Sequence, residues 1–351
     1  MVKSLSSGDK NISSGGGKWE GCLPILNPII AAARADFKQL DGFLHQRRCN
    51  GRKGESGDNG GGRKLAGGRA RTLDTHEEVA QSPVKMFSHY DTQNIPHRRK
   101  MEDAHIYLPS ITPSLSSRTS LIAILDGHGG SLQAISTVLD RFPCIIGDEM
   151  EGHPPLPEKG RKSIKAVMSD AFARMDQEIR PCTWRNGLTA TVLIVRRQKS
   201  NKFNKNSCAL ICANVGDSRA ILIAPSGRFT RLTEDHRPTT NAAEADRVVR
   251  CGGMVLFGRV GGQLAVSRAL GDWCLKDAGV ISEPSVSVKK EVIQGSIIVV
   301  ASDGVWDVLN DSEVARFVIQ HIDEDDVAEK LVGHAVLSGS RDNCSAAVAL
   351  L

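Results

Sequence analysis

The chain lacks most of the short patterns that announce a chemistry by themselves. Nine cysteines, at positions 22, 49, 144, 182, 208, 212, 251, 274 and 344, form no CxxC pair and no His/Cys zinc spacing. Their number is odd and no secretory signal opens the chain, so scattered thiols of a reducing compartment are expected rather than a disulfide framework. Cys208 and Cys212 fall on one face of an expected strand and read as core packing. There is no GxxxxGK[ST] and no GxGxxG, which makes nucleotide-loop readings weak. No apolar run approaches the length of a membrane span. The nearest, Leu23 to Ala33, is interrupted by Asn27, so none is expected. Val2 stands where N-myristoylation requires glycine.

What the chain does have is unevenly distributed. Its 351 residues carry a formal charge of +5, but residues 1–72 hold 13 Lys/Arg against 6 Asp/Glu and the remainder 32 against 34. The basic character belongs to the N-terminal segment and gives no reason to expect nucleic acid on the rest. That segment carries Gly15-Gly16-Gly17 and Gly60-Gly61-Gly62 among Ser, Lys and Arg, a composition that buries too little apolar surface to order itself. Residues 1–82 therefore read as a largely flexible extension. A short amphipathic helix is expected near 28–45, where Ile29, Ile30, Ala33, Phe37, Leu40 and Leu44 recur at helical spacing. It would either pack weakly on the main domain or serve docking or targeting. Residues 83–351 form the compact domain, expected as a monomer in the cytoplasm and/or nucleus.

Within that domain, Leu121 to Leu125 is an apolar strand running into Asp126. Further strands are expected over 189–195, 209–215, 219–224, 297–300 and 345–351, and helices over 163–180, 241–251, 312–322 and 326–337. Asp311-Ser312 reads as a cap for the third of these helices. Strands in hairpin-like groups with helices in pairs between them favour α+β layers over a parallel βαβ array.

Five acidic islands punctuate this pattern: Met101-Glu102-Asp103, Asp126-Gly127-His128-Gly129-Gly130, Gly216-Asp217-Ser218-Arg219, Ser302-Asp303-Gly304 and Arg341-Asp342-Asn343. Asp126 and Asp303 each end an apolar strand, and a fold that gathers strand ends would bring their carboxylates together. Carboxylates that close repel unless a hard divalent cation lies between them. The glycines beside Asp126 permit close backbone approach, so the Gly127 carbonyl can join it as a ligand, with His128 adjacent as a proton donor. The pentapeptide alone also reads as a glycine-rich turn with a solvated Asp and His. Asp303 and Asp342, taken singly, read equally as solvated turn residues. Trp306 reads as a core anchor, and Asp307 as a cap of the turn that follows. Arg98-Arg99-Lys100 before Glu102 would be a solvated basic face, except that beside metal ions the Arg98 fork suits phosphoryl oxygens.

Taken in order, these motifs resemble one family. They are Arg98 with Met101-Glu102-Asp103-Ala104-His105, Asp126 to Gly130, Gly187-Leu188-Thr189-Ala190, Ala213 to Ala220 and Glu234-Asp235-His236-Arg237-Pro238. Gly261 to Asp272, ending Ser267-Arg268-Ala269-Leu270-Gly271-Asp272, comes next, followed by Glu283-Pro284, Ala301 to Asp307 and Arg341-Asp342-Asn343. From about Phe87 to the C-terminus the chain resembles the metal-dependent serine/threonine protein phosphatases of the PP2C family. The resemblance implies a β-sandwich of two antiparallel sheets flanked by pairs of α-helices, two Mn²⁺ or Mg²⁺ ions at one end, and phosphoprotein substrates. It implies that Asp126 bridges both metals with the Gly127 carbonyl on one of them, and that Asp303 and Asp342 bind the other. Glu102 and Asp103 would hold metal-bound water, and Asp217 a weaker third position found in some members. It further implies that Arg98 binds phosphate, that His128 is the general acid, and that residues 241–262 form a flap beside the cleft.

No Cys-x5-Arg loop is present to support a covalent thiol route. Three departures from the family pattern are Leu188 in place of a small polar residue, Ile95-Pro96-His97 where a glycine often precedes the arginine, and Cys344-Ser345 for Met-Thr. Altered loop packing is expected from them, not lost ligands. Two rival readings stay open: a pseudoenzyme that binds phosphoprotein without turnover, and an anionic-surface binder acting through the basic N-terminus.

Overall fold

The computed structural model describes residues 82–111, 118–151, 163–198 and 207–351. The N-terminal expectations, including the helix near 28–45, lie outside the described residues. The aliphatic run before Asp126 is the centre of β3 (Thr119–His128). It pairs antiparallel with β2 (Asp103–Leu108) on one side and β4 (Gly187–Arg197) on the other. β5 (Ser207–Val215) and β11 (Ser285–Ile293) extend this sheet, and the short β10 (Leu270–Gly271) takes the edge of β4 where β5 has ended. The second sheet runs in the order β1 (Met86–Thr92), β13 (Cys344–Leu350), β12 (Ile297–Ala301), β6 (Arg219–Ile223) and β7 (Phe229–Arg231), again antiparallel throughout.

Side-chain alternation along each strand decides the layering. On β3, Ile122 and Ile124 point inward with Leu193, Val195 and Leu210, and meet Ile298, Val300 and Ala347 of the other sheet. Cys208 and Cys212 are buried in the same layer, as expected of core thiols, and burial pushes the Cys212 thiol up to about 12. Leu121, Ala123 and Leu125 point outward instead, against α1 (Leu132–Met150) and α2 (Ile164–Ile179). The outer face of the second sheet, with Ile221, Val299 and Val348, is covered by residues of α5 (Asp311–His321) and α6 (Val327–Leu337). Strands buried on both faces are apolar at most positions, which is why they read as nearly continuous runs. Each fully buried aliphatic side chain contributes about 1.5–3 kcal/mol. The result is the expected sandwich between two helical layers.

Three local details depart from the sequence reading. Helix α1 gives no clear signal in the sequence, because Pro143 and Gly147 interrupt its helical pattern; seven buried apolar side chains, packed in one core with the sheet and α2, override that local preference. The cap of α5 is Asn310 rather than Asp311-Ser312, in a capping box with Glu313. Leu188 is a fully buried strand residue, opposite Gly127 on one side and Leu270 on the other, so its effect is on core packing and not on a loop. Two further helices complete the fold, α3 (Ala242–Arg250), followed by the short antiparallel pair β8 (Val255–Leu256) and β9 (Arg259–Val260), and the single-turn α4 (Asp303–Trp306). Among the described residues no helix is long and apolar enough to cross a membrane.

Candidate metal centre and active site

Strand ends do bring the acidic islands together. Asp126 leaves β3 opposite Asp103 on β2 and Thr189 on β4. Asp217 follows the turn after β5, and Asp303 follows β12 as the first residue of α4. One carboxylate oxygen from each of Asp126, Asp217 and Asp303 lies within 4.8 Å of the others. Burial, and then the charges of Asp103, Asp303 and Asp217, push the Asp126 carboxyl well above the usual carboxylate range. Asp303 is raised by burial and then by Asp217 and Asp307, and Asp103 is pushed up to about 7 chiefly by burial.

Arg237 is bonded into this group. It donates to Asp303 Oδ2 at 2.7 Å, to Asp307 Oδ1 at 2.7 Å and to Asp217. Asp307, the C-terminal cap residue of α4, is thus also a partner of Arg237. A single guanidinium leaves surplus negative charge among four carboxylates whose donors are all hard oxygens. That donor set fits divalent Mg²⁺ or Mn²⁺.

Glycine at 127 follows from crowding. A Cβ there would lie 2.1 Å from Ser131 Oγ and 2.7 Å from the Glu102 carbonyl oxygen. Glu102 itself accepts from the Gly130 and Ser131 amides, both at 2.8 Å, at the start of α1. Its carboxylate therefore tethers the Gly129-Gly130 turn, where both glycines have positive φ. Asp103 accepts from Ser302 Oγ at 2.7 Å, and the same hydroxyl accepts from the Ser345 amide at 3.0 Å, tying β2 to the second sheet.

Arg98 and Asp342 meet each other at the rim, where the arginine is half exposed. The loop before Arg98 manages without a glycine because Asn94 takes the positive φ of 54° and anchors itself through Nδ2 to the Ser340 carbonyl at 2.8 Å. His128 Nε2 lies 2.7 Å from Asp272 Oδ2. Burial lowers the imidazole pKa, but the bond and charge of Asp272 outweigh it and the net shift is upward. Trp306 is a core anchor, its indole N–H donating to the Ala301 carbonyl at 2.9 Å.

All nine residues singled out from the sequence border this one region, but with partners the sequence did not announce. Asp217 belongs to the tight carboxylate group, while Asp342 is held by Arg98. Arg237 and Asp272 sit inside motifs already singled out, yet neither was given a role. Their partners lie 20 to 144 residues away, and an Arg-Pro or Gly-Asp pair says nothing of a contact at that distance.

The sequence profile of the family described as Protein phosphatase 2C matches residues 90–344. "Protein phosphatase 2C homolog 1" of Saccharomyces cerevisiae is 29% identical over 293 residues, covering 80% of this chain and 100% of that one. "Probable protein phosphatase 2C 59" of Oryza sativa is 31% identical, covering 80% and 83%. Among solved structures, a phosphatase from Toxoplasma gondii superposes with a TM-score of 0.62 at 22% identity, covering 76% of this chain and 92% of that one. Profile, relatives and fold agree with the carboxylate cluster, and the chain belongs to the protein phosphatase 2C family, the enzymes that carry out metal-dependent dephosphorylation of serine and threonine.

Proposed function

We propose that this chain hydrolyses phosphoserine and phosphothreonine in proteins at a centre of two divalent ions, with the residues named above in distinct roles. The observation that carries the reading is the convergence of Asp126, Asp217 and Asp303 within 4.8 Å. Asp126, Asp303, Asp342 and the Gly127 carbonyl would hold the pair, with Asp217 beside them for a weaker third ion and Glu102 and Asp103 at the edge. Bound there, Mn²⁺ or Mg²⁺ supplies Lewis acidity that lowers the pKa of water and offsets phosphoryl charge.

The protein side of the mechanism follows from charge and position. Arg98, half exposed at the rim, presents a planar fork to two phosphoryl oxygens and orients the ester for in-line attack. Its present partner Asp342 is a carboxylate that ligation would draw away, releasing the fork. His128 delivers a proton to the departing seryl or threonyl oxygen, which is a poor leaving group without one. Residues 83–351 carry all of these groups and act as the catalytic domain, with 1–82 as an appendage.

Initial rates on a phosphothreonine peptide with Mn²⁺, with Mg²⁺ and with EDTA, beside Asp303→Asn, test the reading. Turnover that needs the metal and collapses in the variant is expected. A folded protein with no turnover in either metal would instead support phosphoprotein binding without catalysis.

A further inference from the structure

His128 does not reach its carboxylate partner by chance of neighbouring sequence. Three strand ends build the contact. His128 closes β3 opposite Gly187 of β4, and Gly187 is in turn opposite Gly271 of β10. A Cβ on Gly187 would lie 2.3 Å from Asp272 Oδ2 and 2.6 Å from the Leu270 carbonyl oxygen, so the bare backbone at 187 makes room for the carboxylate beside the imidazole. Asp272 is 3% exposed and holds a left-handed backbone, φ 51° and ψ 42°, directly after Gly271 at φ 84°.

That backbone is uncommon outside glycine and carries a conformational penalty. It is held by surrounding bonds. The Asp272 amide donates to the Asn186 carbonyl at 2.9 Å, and its own carbonyl accepts from the Leu275 amide at 2.9 Å. The Gly271 amide donates to buried Asp176 Oδ1 at 2.6 Å, and Asp176 Oδ2 pairs with Lys276 at 3.0 Å. A buried carboxylate on a strained, heavily braced turn, aimed at one ring nitrogen, has the construction of an orienting group.

We propose that Asp272 is the positioning residue for the proton donor: it binds His128 Nε2–H and so leaves Nδ1 facing the leaving oxygen. This rests on the reading of His128 as general acid. As the ester P–O bond breaks, its electron pair goes to the seryl or threonyl oxygen and the Nδ1 proton follows, giving the alcohol. A water molecule forms the new P–O bond, and the proton it gives up restores the imidazolium. Throughout, Nε2–H stays bonded to Asp272, which fixes the ring plane and the tautomer.

The test uses the full chain loaded with Mg²⁺ and two substrates that differ in their need for a proton. A phosphothreonine peptide releases a basic alkoxide, whereas p-nitrophenyl phosphate releases a stabilised phenolate. Asp272→Asn is compared with wild type and with His128→Ala, since asparagine tolerates the left-handed backbone. Expected is a fall of about 30-fold in kcat on the peptide, a far smaller fall on p-nitrophenyl phosphate, and KM little changed for either. His128→Ala should show the same substrate dependence more strongly.

Equal losses on both substrates in Asp272→Asn, or none on the peptide while His128→Ala discriminates, would overturn the proposal and leave the His128 assignment standing. If His128→Ala lowers both substrates equally, the general-acid reading fails and this inference with it. A measurement independent of variant folding is the ¹⁵N spectrum of neutral His128 in the Mg²⁺-loaded wild type, assigned by its loss in His128→Ala. The Nε2–H tautomer is expected, and an Nδ1–H tautomer would refute the arrangement.

Discussion

Replacing Asp126 with asparagine should stabilise the metal-free protein while abolishing its response to metal. Asp126 has two carboxylate neighbours, Asp217 and Asp303, within 4.8 Å. At that separation and an effective dielectric of about 20, each pair of full charges repels by about 3 kcal/mol. Arg237 offsets part of this, and protonation relieves more, because the Asp126 carboxyl is pushed well above its ordinary 3.8 by burial and by neighbouring charge. A net gain of about 2–3 kcal/mol from removing the charge is a fair expectation at neutral pH.

The sign with pH follows from linkage. A carboxyl whose folded pKa is raised favours the folded state below the unfolded value, and that advantage is lost as pH rises through the folded value. The gap between variant and wild type in EDTA should therefore widen from pH 5 to pH 8. At roughly 2–4 °C per kcal/mol for a domain of this size, thermal unfolding should shift upward by about 5–10 °C. With saturating Mn²⁺ the wild type should rise by an amount set by ligand binding, about 2.7 kcal/mol at a hundredfold excess over Kd. Asp126→Asn should not rise. A variant that is less stable in EDTA, or that keeps the full Mn²⁺ shift, would refute the account of the cluster as a repulsive site tuned for metal.

Three other outcomes are expected from the same structure. Glu244 accepts from Arg268, Arg247 and Ser267, and against burial these bonds hold its carboxyl well below the usual range. Glu244→Gln should cost about 3 kcal/mol in thermal unfolding and lower kcat/KM on a phosphopeptide by loosening α3 from Ser267 and Arg268. A variant that matches wild type in both measurements would show that the arginines do not depend on that charge. His236 is buried with Nδ1 accepting from the Gly216 amide, and burial, then Arg268, pulls its pKa from 6.5 down to about 3. Only the unfolded chain takes up that proton between those values, so stability should fall as pH drops below 6.5, by up to about 1.4 kcal/mol per unit. His236→Gln should flatten this slope in denaturant titrations, and an unchanged slope would assign the acid sensitivity elsewhere. Gly304→Ala would place a Cβ 2.0 Å from the Asn343 carbonyl oxygen. It should lose about 2 kcal/mol and weaken Mn²⁺ binding measured by calorimetry, since α4 carries Asp303. Binding as tight as in wild type would show that the backbone relaxes without moving that ligand.

Particular residues show how far local pattern reaches. The aliphatic run ending in Asp126 predicts both a buried strand and an acidic tip, because five consecutive apolar residues leave no solvent-facing side and a charge can appear only where the strand exits the core. The same logic located Asp303 after β12. It did not reach α1, whose Pro143 and Gly147 spoil the local signal while packing against the sheet and α2 restores the helix. Nor did it place the first cap residue of α5, one position earlier than composition suggested.

Order and type of side chain along the strands, the identity of the acidic residues and the family to which they belong were all decided by sequence, since each depends on local alternation or on motifs read within a few residues. Which partners those carboxylates hold, and how close they stand, was decided only by the tertiary structure. Asp217 joins Asp126 and Asp303, Arg237 bridges three aspartates, and Asp272 reaches His128 across Gly187. These contacts join residues on different strands and turns through the register of two sheets. Their energies depend on burial and on distances of a few ångströms, quantities that exist only once the chain has folded.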